Sequence, residues 1–265
     1  MKLVRNLVEK PWGRIDLPVW AGGGGGARVG EIWFAAPEGA PEPPLLVKHI
    51  FTAERLSIQV HPDDAQARAR GLPHGKSECW YIVDAEDGAA LGLGLAEAVE
   101  PAALRAAALD GSIEALLDWK PVAAGDFFHV PAGTIHAIGG GISLIEVQQV
   151  SDVTYRLYDY GRPRELHLDD AVAVADPRPY PAELARKAAA GSAILVAGPH
   201  FTVLRVEGAS DALSGRVRMA IPLAGEIAAG GDIAGPGDCL LVPAGAPIDA
   251  APDAAFLLAA AGPPD

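Results

Sequence analysis

A nine-residue segment occurs twice in this chain, 112 positions apart. Residues 125–133 read GDFFHVPAG and residues 237–245 read GDCLLVPAG, with six identical positions. In both copies an apolar run leads into Pro-Ala-Gly, which favours a strand that ends in a tight turn. A repeated segment of this kind is the signature of a duplicated structural unit. The repeat therefore predicts two copies of one β unit within 265 residues, a length that two small domains would fill.

Short β-branched and aromatic runs, separated by Gly and Pro, fill residues 28–95 and return beyond residue 126. This pattern is typical of a mainly β fold. Three stretches have helical spacing instead: an insert at about 101–119, a segment at 167–175, and a segment at 181–190. The five glycines at 22–26 precede a strand rather than a helix, so they indicate a loop and not a phosphate-binding turn.

The net charge of −13, from 34 acidic and 21 basic residues, argues strongly against a nucleic-acid partner and disfavours an anionic membrane surface. No apolar run reaches the roughly 18 residues that a membrane span requires. The first 14 residues lack the apolar centre of a signal peptide, so a cytoplasmic location is expected. Cys79 and Cys239 are too few for a disulfide framework and are expected to be small buried side chains.

Four polar side chains are candidates for a metal site. His136 closes a G-x5-P-x-G-x2-H segment that resembles the second motif of the cupins, small jelly-roll barrels that hold a metal in their mouth. Gln59 and His61 share one face of a strand, and Glu78 begins another apolar strand, where a carboxylate is costly to bury unless paired or metal-bound. Two imidazoles, a carboxylate and an amide oxygen suit zinc with an open coordination position. The alternative is that they are ordinary strand and surface residues.

Four longer segments follow one another along the chain: HPDD at 61–64, GKSECWYI at 75–82, VPAGTIHAI at 130–138 and VSDVTYRLYDYGR at 150–162. They are similar to segments of the type I mannose-6-phosphate isomerases in their short bacterial form. The resemblance extends from about residue 8 to 175. It implies a mainly β fold of two cupin-type jelly-roll barrels with a few inserted helices. The expected catalytic barrel spans 1–165 and includes the insert, and a helical connection with a degenerate, metal-free second barrel spans 166–265.

The resemblance also implies a reaction, a cofactor and site residues. Mannose 6-phosphate and fructose 6-phosphate would interconvert by proton transfer through an enediol(ate), with one Zn²⁺ per chain. The implied zinc ligands are Gln59, His61, Glu78 and His136, and the implied catalytic residues are Arg156 and Lys76. The expected partner is a small sugar phosphate, and the chain is expected to be a monomer or homodimer. At position 75, where longer members have histidine, this chain has glycine.

Several alternatives stay open at this stage. The chain would otherwise be a metal-dependent cupin of another class, such as an iron dioxygenase, or a non-catalytic sugar-binding cupin. Arg156 would otherwise form a salt bridge with Asp152 or Asp159, and Lys76 would be a solvated turn residue. The candidates for phosphate binding are Lys48, Lys76, Arg156, Arg162 and Arg164.

Overall fold

The computed structural model describes residues 1–23, 25–187 and 190–263. They form two compact units that are not continuous in sequence. The first unit comprises Met1–Phe51, Ile145–Gln149 and Arg186–Asp265, and the second comprises Thr52–Leu144 and Val150–Ala185. The sequence predicts a domain boundary near residue 165, between the two copies of the repeat. That boundary stays a prediction.

The secondary structure is mainly β, as the sequence predicts. In chain order the strands are β1 (Val4–Arg14), β2 (Val29–Ala35), β3 (Leu46–Thr52), β4 (Ile58–Val60), β5 (Glu78–Ala85), β6 (Ala90–Leu95), β7 (Leu117–Pro121), β8 (Asp126–Val130), β9 (His136–Ile138), β10 (Ile142–Gln148), β11 (Tyr155–Tyr158), β12 (Ala185–Lys187), β13 (Ala193–Ala197), β14 (Phe201–Glu207), β15 (Arg218–Ala224), β16 (Ile227–Ala229), β17 (Asp232–Ala234), β18 (Leu240–Val242), β19 (Asp249–Ala250) and β20 (Ala255–Ala261). The helices are α1 (Asp64–Arg68), α2 (Pro101–Asp110), α3 (Ile113–Leu116) and α4 (Leu168–Val174), with short 3-10 turns at Val19–Ala21 and Ala182–Leu184. Within this described part of the chain, no helix is both long and apolar enough to cross a bilayer.

The second unit contains a five-stranded sheet in the order β11-β4-β9-β6-β7, together with β5 and β8, which pair antiparallel with each other. Its residues alternate between two faces, because successive side chains of a strand point to opposite sides. Ile58, Val60 and Ala137 lie on the face that packs against α2, α3 and α4. Gln59 and His136, which alternate with them, therefore lie on the other face of the sheet. One face of the sheet therefore packs into the hydrophobic core, and the other carries the polar side chains Gln59 and His136.

The helical predictions are confirmed in part. Helix α4 lies within the expected segment 167–175, and α2 begins at Pro101 and ends before Gly111, whose left-handed φ of 84° closes it. The helical part of the insert at 101–119 is shorter than expected. Helix α3 ends at Leu116, and residues from Leu117 onward form a strand that pairs with β6. Tertiary pairing overrides the helical spacing there.

The helix expected at 181–190 is wrong for the residues that are described. Pro181 precedes a single 3-10 turn, Ala182–Leu184, and strand β12 follows it directly. Positions 188 and 189 lie outside the described residues. The Ala-rich composition of this segment favours a helix, but propensity is a weak guide where a strand partner is available.

The first unit contains the pairs β1-β2-β3 near its N-terminus and two sheets from the C-terminal part, β13-β14-β20-β15-β18 and β17-β16-β19. These last two sheets enclose a separate apolar core, and its largest side chain is the fully buried Phe256. Both cysteines are buried and free, as expected from the sequence. His49 lies inside this unit between the rings of Trp20, Phe34 and Phe51.

The repeated nine-residue segments fold alike, down to individual hydrogen bonds. Gly125 and Gly237 have φ of 86° and 92°, and Gly133 and Gly245 have φ of 88° and 78°, a left-handed region that favours glycine. Four hydrogen bonds recur at equivalent positions: Asp126 N–H to Ala123 O (3.1 Å) and Asp238 N–H to Gly235 O (3.0 Å), Ala123 N–H to Asp126 Oδ2 (2.9 Å) and Gly235 N–H to Asp238 Oδ2 (3.1 Å), Thr134 N–H to Pro131 O (3.2 Å) and Ala246 N–H to Pro243 O (3.2 Å), and Gly133 N–H to His61 O (2.8 Å) and Gly245 N–H to Ser214 O (2.7 Å). The two repeated segments therefore form the same turn, with the same backbone conformation and the same hydrogen bonds.

The two copies differ in the side chain that donates a hydrogen bond to the carbonyl just after the turn. In the first copy, the Thr134 carbonyl accepts a hydrogen bond from His136 Nδ1 at 2.9 Å. In the second copy the equivalent Ala246 carbonyl accepts from the guanidinium of Arg218, which is fully buried and also reaches the carbonyl of Pro243. Ile248 stands where the first copy has His136.

Candidate metal centre

A row of polar side chains crosses the five-stranded sheet on the face opposite to the helices α2, α3 and α4. Arg156 on β11 is the register partner of Gln59 on β4, and Gln59 is in turn the partner of His136 on β9. Directly opposed residues on neighbouring strands have side chains about 5 Å apart. The antiparallel register therefore brings together three residues that are up to 97 positions apart in the sequence.

The structure places three of the predicted ligands in one buried cluster. The ligand atoms of His61, Glu78 and His136 all lie within 4.8 Å of one another, and each side chain is at most 2% exposed. His61 Nε2 is 3.6 Å from Glu78 Oε2, and His136 Nε2 is 3.3 Å from Glu78 Oε1. Two ring nitrogens thus converge on the two oxygens of one carboxylate.

Both imidazoles are held in the form that suits a metal ligand. His61 Nδ1 donates to the carbonyl of Val153 at 2.8 Å, and His136 Nδ1 donates to the carbonyl of Thr134 at 2.9 Å. A proton on Nδ1 leaves the Nε2 lone pair directed into the cluster, the usual outer-shell arrangement of metal-binding histidines. Glu78 Oε1, which faces one of these lone pairs, has no hydrogen-bond donor among the described residues. Acceptors that face acceptors in a buried site fit a cation between them.

Burial, reinforced by the positive charge of Lys76, lowers the pKa of His61 to about 3. Burial also lowers the pKa of His136 below its usual value. Burial by itself would raise the pKa of Glu78, but Lys76 and the neighbouring histidines more than offset this and hold it well below the usual value. At neutral pH the cluster therefore offers two neutral imidazoles and one carboxylate, which are the ligand states that a divalent metal requires.

Lys76 is not the solvated turn residue of the alternative interpretation. Its side chain is 5% exposed, and its Nζ lies 2.7 Å from Glu78 Oε2 and 3.2 Å from His61 Nε2. Lys76 lies two positions before Glu78, the first residue of β5. The predicted base is therefore in direct contact with two of the predicted ligands.

Gln59, the fourth predicted ligand, is beside the cluster and contacts it through its amide. Its Nε2 donates to His136 Nε2 at 3.2 Å, and its Oε1 accepts from Ser57 Oγ at 3.1 Å. Binding a cation through the amide oxygen would require the amide to turn over.

Arg156 does not form the salt bridge with Asp152 or Asp159 that the alternative interpretation requires. The carboxylate of Asp159 is taken by Arg162 at 2.7 Å and by Arg164 at 2.6 Å. The guanidinium of Arg156 forms no ion pair or hydrogen bond with the described residues, and its Nε is buried. Burial, together with the nearby Arg164, lowers the pKa of Arg156. A partly buried arginine whose donors form no hydrogen bond within the described residues can bind an anion.

The same contacts narrow the set of phosphate-binding candidates. Arg162 and Arg164 are both engaged by Asp159. Lys48 is buried in the first unit, where it lies 3.3 Å from Glu146. Among these candidates, Arg156 is the one whose guanidinium forms no ion pair or hydrogen bond with the described residues.

Two residues that the sequence interpretation did not select contribute to the site. The Trp80 ring packs edge-on against His136, with ring centroids 5.3 Å apart. Trp80 lies two positions after Glu78, so strand alternation was the available signal. His167 contacts the backbone of Arg156, and its position at the start of α4 carried no sequence signal for that contact.

These features define a cupin-type protein with a candidate metal centre. The chain has antiparallel sheets around an apolar core and a turn that occurs twice. A buried His-Glu-His cluster lies beside the first of these turns. No protein-family model matches the chain. The comparisons with individual proteins are more specific.

The chain is similar to proteins named mannose-6-phosphate isomerase. It is 42% identical over 185 residues to that protein of Streptococcus mutans, covering 66% of this chain and 57% of the relative. It is 40% identical over 161 residues to the probable mannose-6-phosphate isomerase GmuF of Bacillus subtilis, covering 56% of this chain and 51% of that protein. The matched region thus spans about half the length of these curated relatives.

The crystal structure of the mannose 6-phosphate isomerase from Bacillus subtilis is similar over nearly the whole chain. Its TM-score is 0.81 at 26% identity, and the match covers 97% of this chain and 98% of that chain. The resemblance to mannose-6-phosphate isomerases that the sequence indicates, and the mainly β cupin-type fold that it implies, are both confirmed.

Proposed function

We propose that this chain is a zinc-dependent mannose-6-phosphate isomerase that interconverts mannose 6-phosphate and fructose 6-phosphate through an enediol(ate). The observation that carries the proposal is the buried His61-Glu78-His136 cluster, which Lys76 contacts directly and which shares a sheet face with an available Arg156. The named relatives make this reaction the leading candidate for such a set of groups. The proposal includes a cytoplasmic location and a monomeric or homodimeric chain.

His61, Glu78 and His136 would hold one zinc ion, with the amide oxygen of Gln59 as a fourth ligand after it turns. The fit rests on the two Nδ1–H tautomers and on the unpartnered Oε1 of Glu78. A mixed set of nitrogen and oxygen ligands suits zinc, and a bound zinc ion would polarise a sugar oxygen. An iron centre remains an outcome that metal analysis would detect.

Lys76 would transfer the proton in the neutral amine form. Its Nζ would take the proton from C2 of the open-chain aldose, and the electron pair of that C–H bond would form the C1–C2 double bond. The carbonyl electrons would move onto oxygen. Lys76 would then return the proton to C1 after a hydroxyl proton has shifted, which gives the ketose. In the chain without a metal the Lys76 ammonium pairs with Glu78. Beside a bound zinc ion and Arg156, Lys76 would lose its proton more easily than in water, because neighbouring positive charges favour the neutral amine.

Arg156 would bind the negative charge that develops on the sugar oxygens during this transfer. An arginine is always protonated and presents several donors in a fixed plane, so it stabilises an oxyanion without giving up a proton. Its donors are not engaged by Asp159, which Arg162 and Arg164 neutralise.

A coupled assay of fructose 6-phosphate formation, with and without a chelator, tests the proposal alongside metal analysis of the purified protein. Activity should be lost with the chelator and restored by zinc. Arg156→Ala should abolish turnover while zinc stays bound. Arg178→Ala is the matched control, because Arg178 is 72% exposed and pairs only with Asp176 among the described residues. A zinc-loaded protein without turnover would favour a sugar-binding cupin, and iron in place of zinc would favour an oxygenase.

A further inference from the structure

His167 satisfies both backbone polar groups of Arg156. The Arg156 N–H donates to His167 Nδ1 at 3.3 Å, and the His167 N–H donates to the Arg156 carbonyl at 2.9 Å. Strand β11 is the outermost strand of its sheet as described, and an edge strand presents unpaired backbone groups. One residue therefore takes the place of a neighbouring strand at the position of the proposed catalytic arginine.

The core of the second unit fixes the position of His167. His167 directly precedes α4, and its carbonyl accepts the N–H of Ala171 at 2.8 Å. Ala171 and Val174 anchor that helix, since both are buried in the apolar core that also contains Tyr155 and Leu157 of β11. Close packing of this kind transmits position, because a well-packed core yields little to displacement.

The contact requires one particular tautomer of the imidazole. To accept from a backbone N–H, Nδ1 must carry a lone pair, which places the ring proton on Nε2. That nitrogen lies 4.0 Å from Oε2 of Glu165, and a carboxylate at this distance favours an N–H over a lone pair. The ring also lies against Tyr155, with centroids 6.1 Å apart.

The guanidinium of Arg156 has no ion pair or hydrogen bond of its own to the described residues, so its backbone is what locates it. We propose that His167 is a positioning residue for Arg156, which holds the edge strand in the register that directs the guanidinium to the reacting sugar oxygens. This inference rests on the proposed function, because it assigns His167 a share in the same reaction.

His167→Asn and His167→Leu form a matched pair for testing this role. The two side chains have similar size and branching, but only asparagine places an acceptor, Oδ1, where His167 has Nδ1. In zinc-loaded protein, kcat for mannose 6-phosphate should fall about 10- to 100-fold in His167→Leu and less than about threefold in His167→Asn, since small misplacements of a catalytic group cost this much. KM and zinc content should change little in either variant.

His167→Gln supplies a second variant, because its amide reaches the Nε2 position rather than the Nδ1 position. It should behave like His167→Leu. If His167→Leu does not fold, the contrast between the Gln and Asn variants carries the test. Equal kcat in folded Leu, Gln and wild-type proteins would overturn the positioning role, as would equal losses in the Asn and Gln variants.

Hydrogen exchange of the Arg156 amide, measured by NMR, separates this inference from the proposed function. The amide should be protected in wild type and in His167→Asn, and should exchange at least about tenfold faster in His167→Leu when the hydrogen bond is lost. A wild-type protein that does not isomerise mannose 6-phosphate would overturn the proposed function, and the exchange rates would still judge the contact. Identical exchange in all three proteins would overturn the contact itself.

Discussion

The buried pair of Lys76 and Glu78 makes a quantitative prediction about stability. The glutamate is fully buried, and the ammonium nitrogen lies 2.7 Å from its Oε2. At that separation and an effective dielectric constant of about 20, the two charges attract each other by about 6 kcal/mol. The cost of removing both charges from water offsets part of this. Glu78→Gln, which leaves the ammonium without its carboxylate, should lower the free energy of unfolding by about 3–5 kcal/mol.

The measurement is urea unfolding followed by circular dichroism, at pH 7 and with a chelator present, so that metal binding does not contribute. Lys76→Met removes the other charge, and the double variant Lys76→Met/Glu78→Gln removes both. The double variant should be less destabilised than the sum of the single variants by at least about 2 kcal/mol, because no buried charge is left alone.

The control is the ion pair of Arg178 and Asp176, which has a similar length of 2.6 Å but is exposed. Arg178→Ala should leave the free energy of unfolding close to that of wild type, because solvent screens an exposed pair. If the effects of Lys76→Met and Glu78→Gln add to within about 0.5 kcal/mol, the two side chains are not coupled, and the reasoning from burial and distance is refuted.

Three further predictions concern other parts of the chain. His136→Ala should lose the metal, and atomic absorption would show zinc well below one equivalent; stoichiometric zinc would remove His136 from the ligand set. Arg218→Met should destabilise the protein by about 2–4 kcal/mol in urea, because buried carbonyls lose their donor, while zinc content stays unchanged; wild-type stability would show that these contacts contribute nothing. Burial lowers the pKa of His49 to about 3, so the unfolded chain binds the extra proton between about pH 6.5 and 3, and stability should fall as the pH falls through that range. His49→Phe should reduce the slope of stability against pH in unfolding curves, and an unchanged slope would contradict the assignment.

Much of the site could be predicted because strand periodicity is a local property. Gln59 and His61 are two positions apart in a strand-like segment, so both had to lie on one side of it. Lys76 and its role were implied by the family resemblance and not by periodicity. The turn before His136 was visible as Pro, Ala and Gly in a fixed order. What periodicity does not contain is which strands become neighbours. The register that aligns Arg156, Gln59 and His136 follows from the tertiary fold.

The residues that were missed or misjudged depend on long-range competition. Whether Arg156 would pair with Asp159 depended on two other arginines, Arg162 and Arg164, which fold back onto the same carboxylate. The segment at 181–190 has helix-forming residues, but its described part is a 3-10 turn and a strand. Local preference is worth a few tenths of a kcal/mol per residue, and strand pairing outweighs that where an edge is available.

The twice-built turn also shows how a site can be lost without loss of the fold. In the second copy Ile248 replaces the imidazole, and the carbonyl that the imidazole would take is bound by Arg218 instead. The hydrogen bonds of the turn keep their places at nearly the same lengths. Ligand and scaffold are thus separable parts of this unit, and substitutions that remove the chemistry of one copy need not unfold it. The C-terminal copy serves as an internal reference within the same molecule: properties common to both turns belong to the architecture, and properties confined to the first belong to its reactivity.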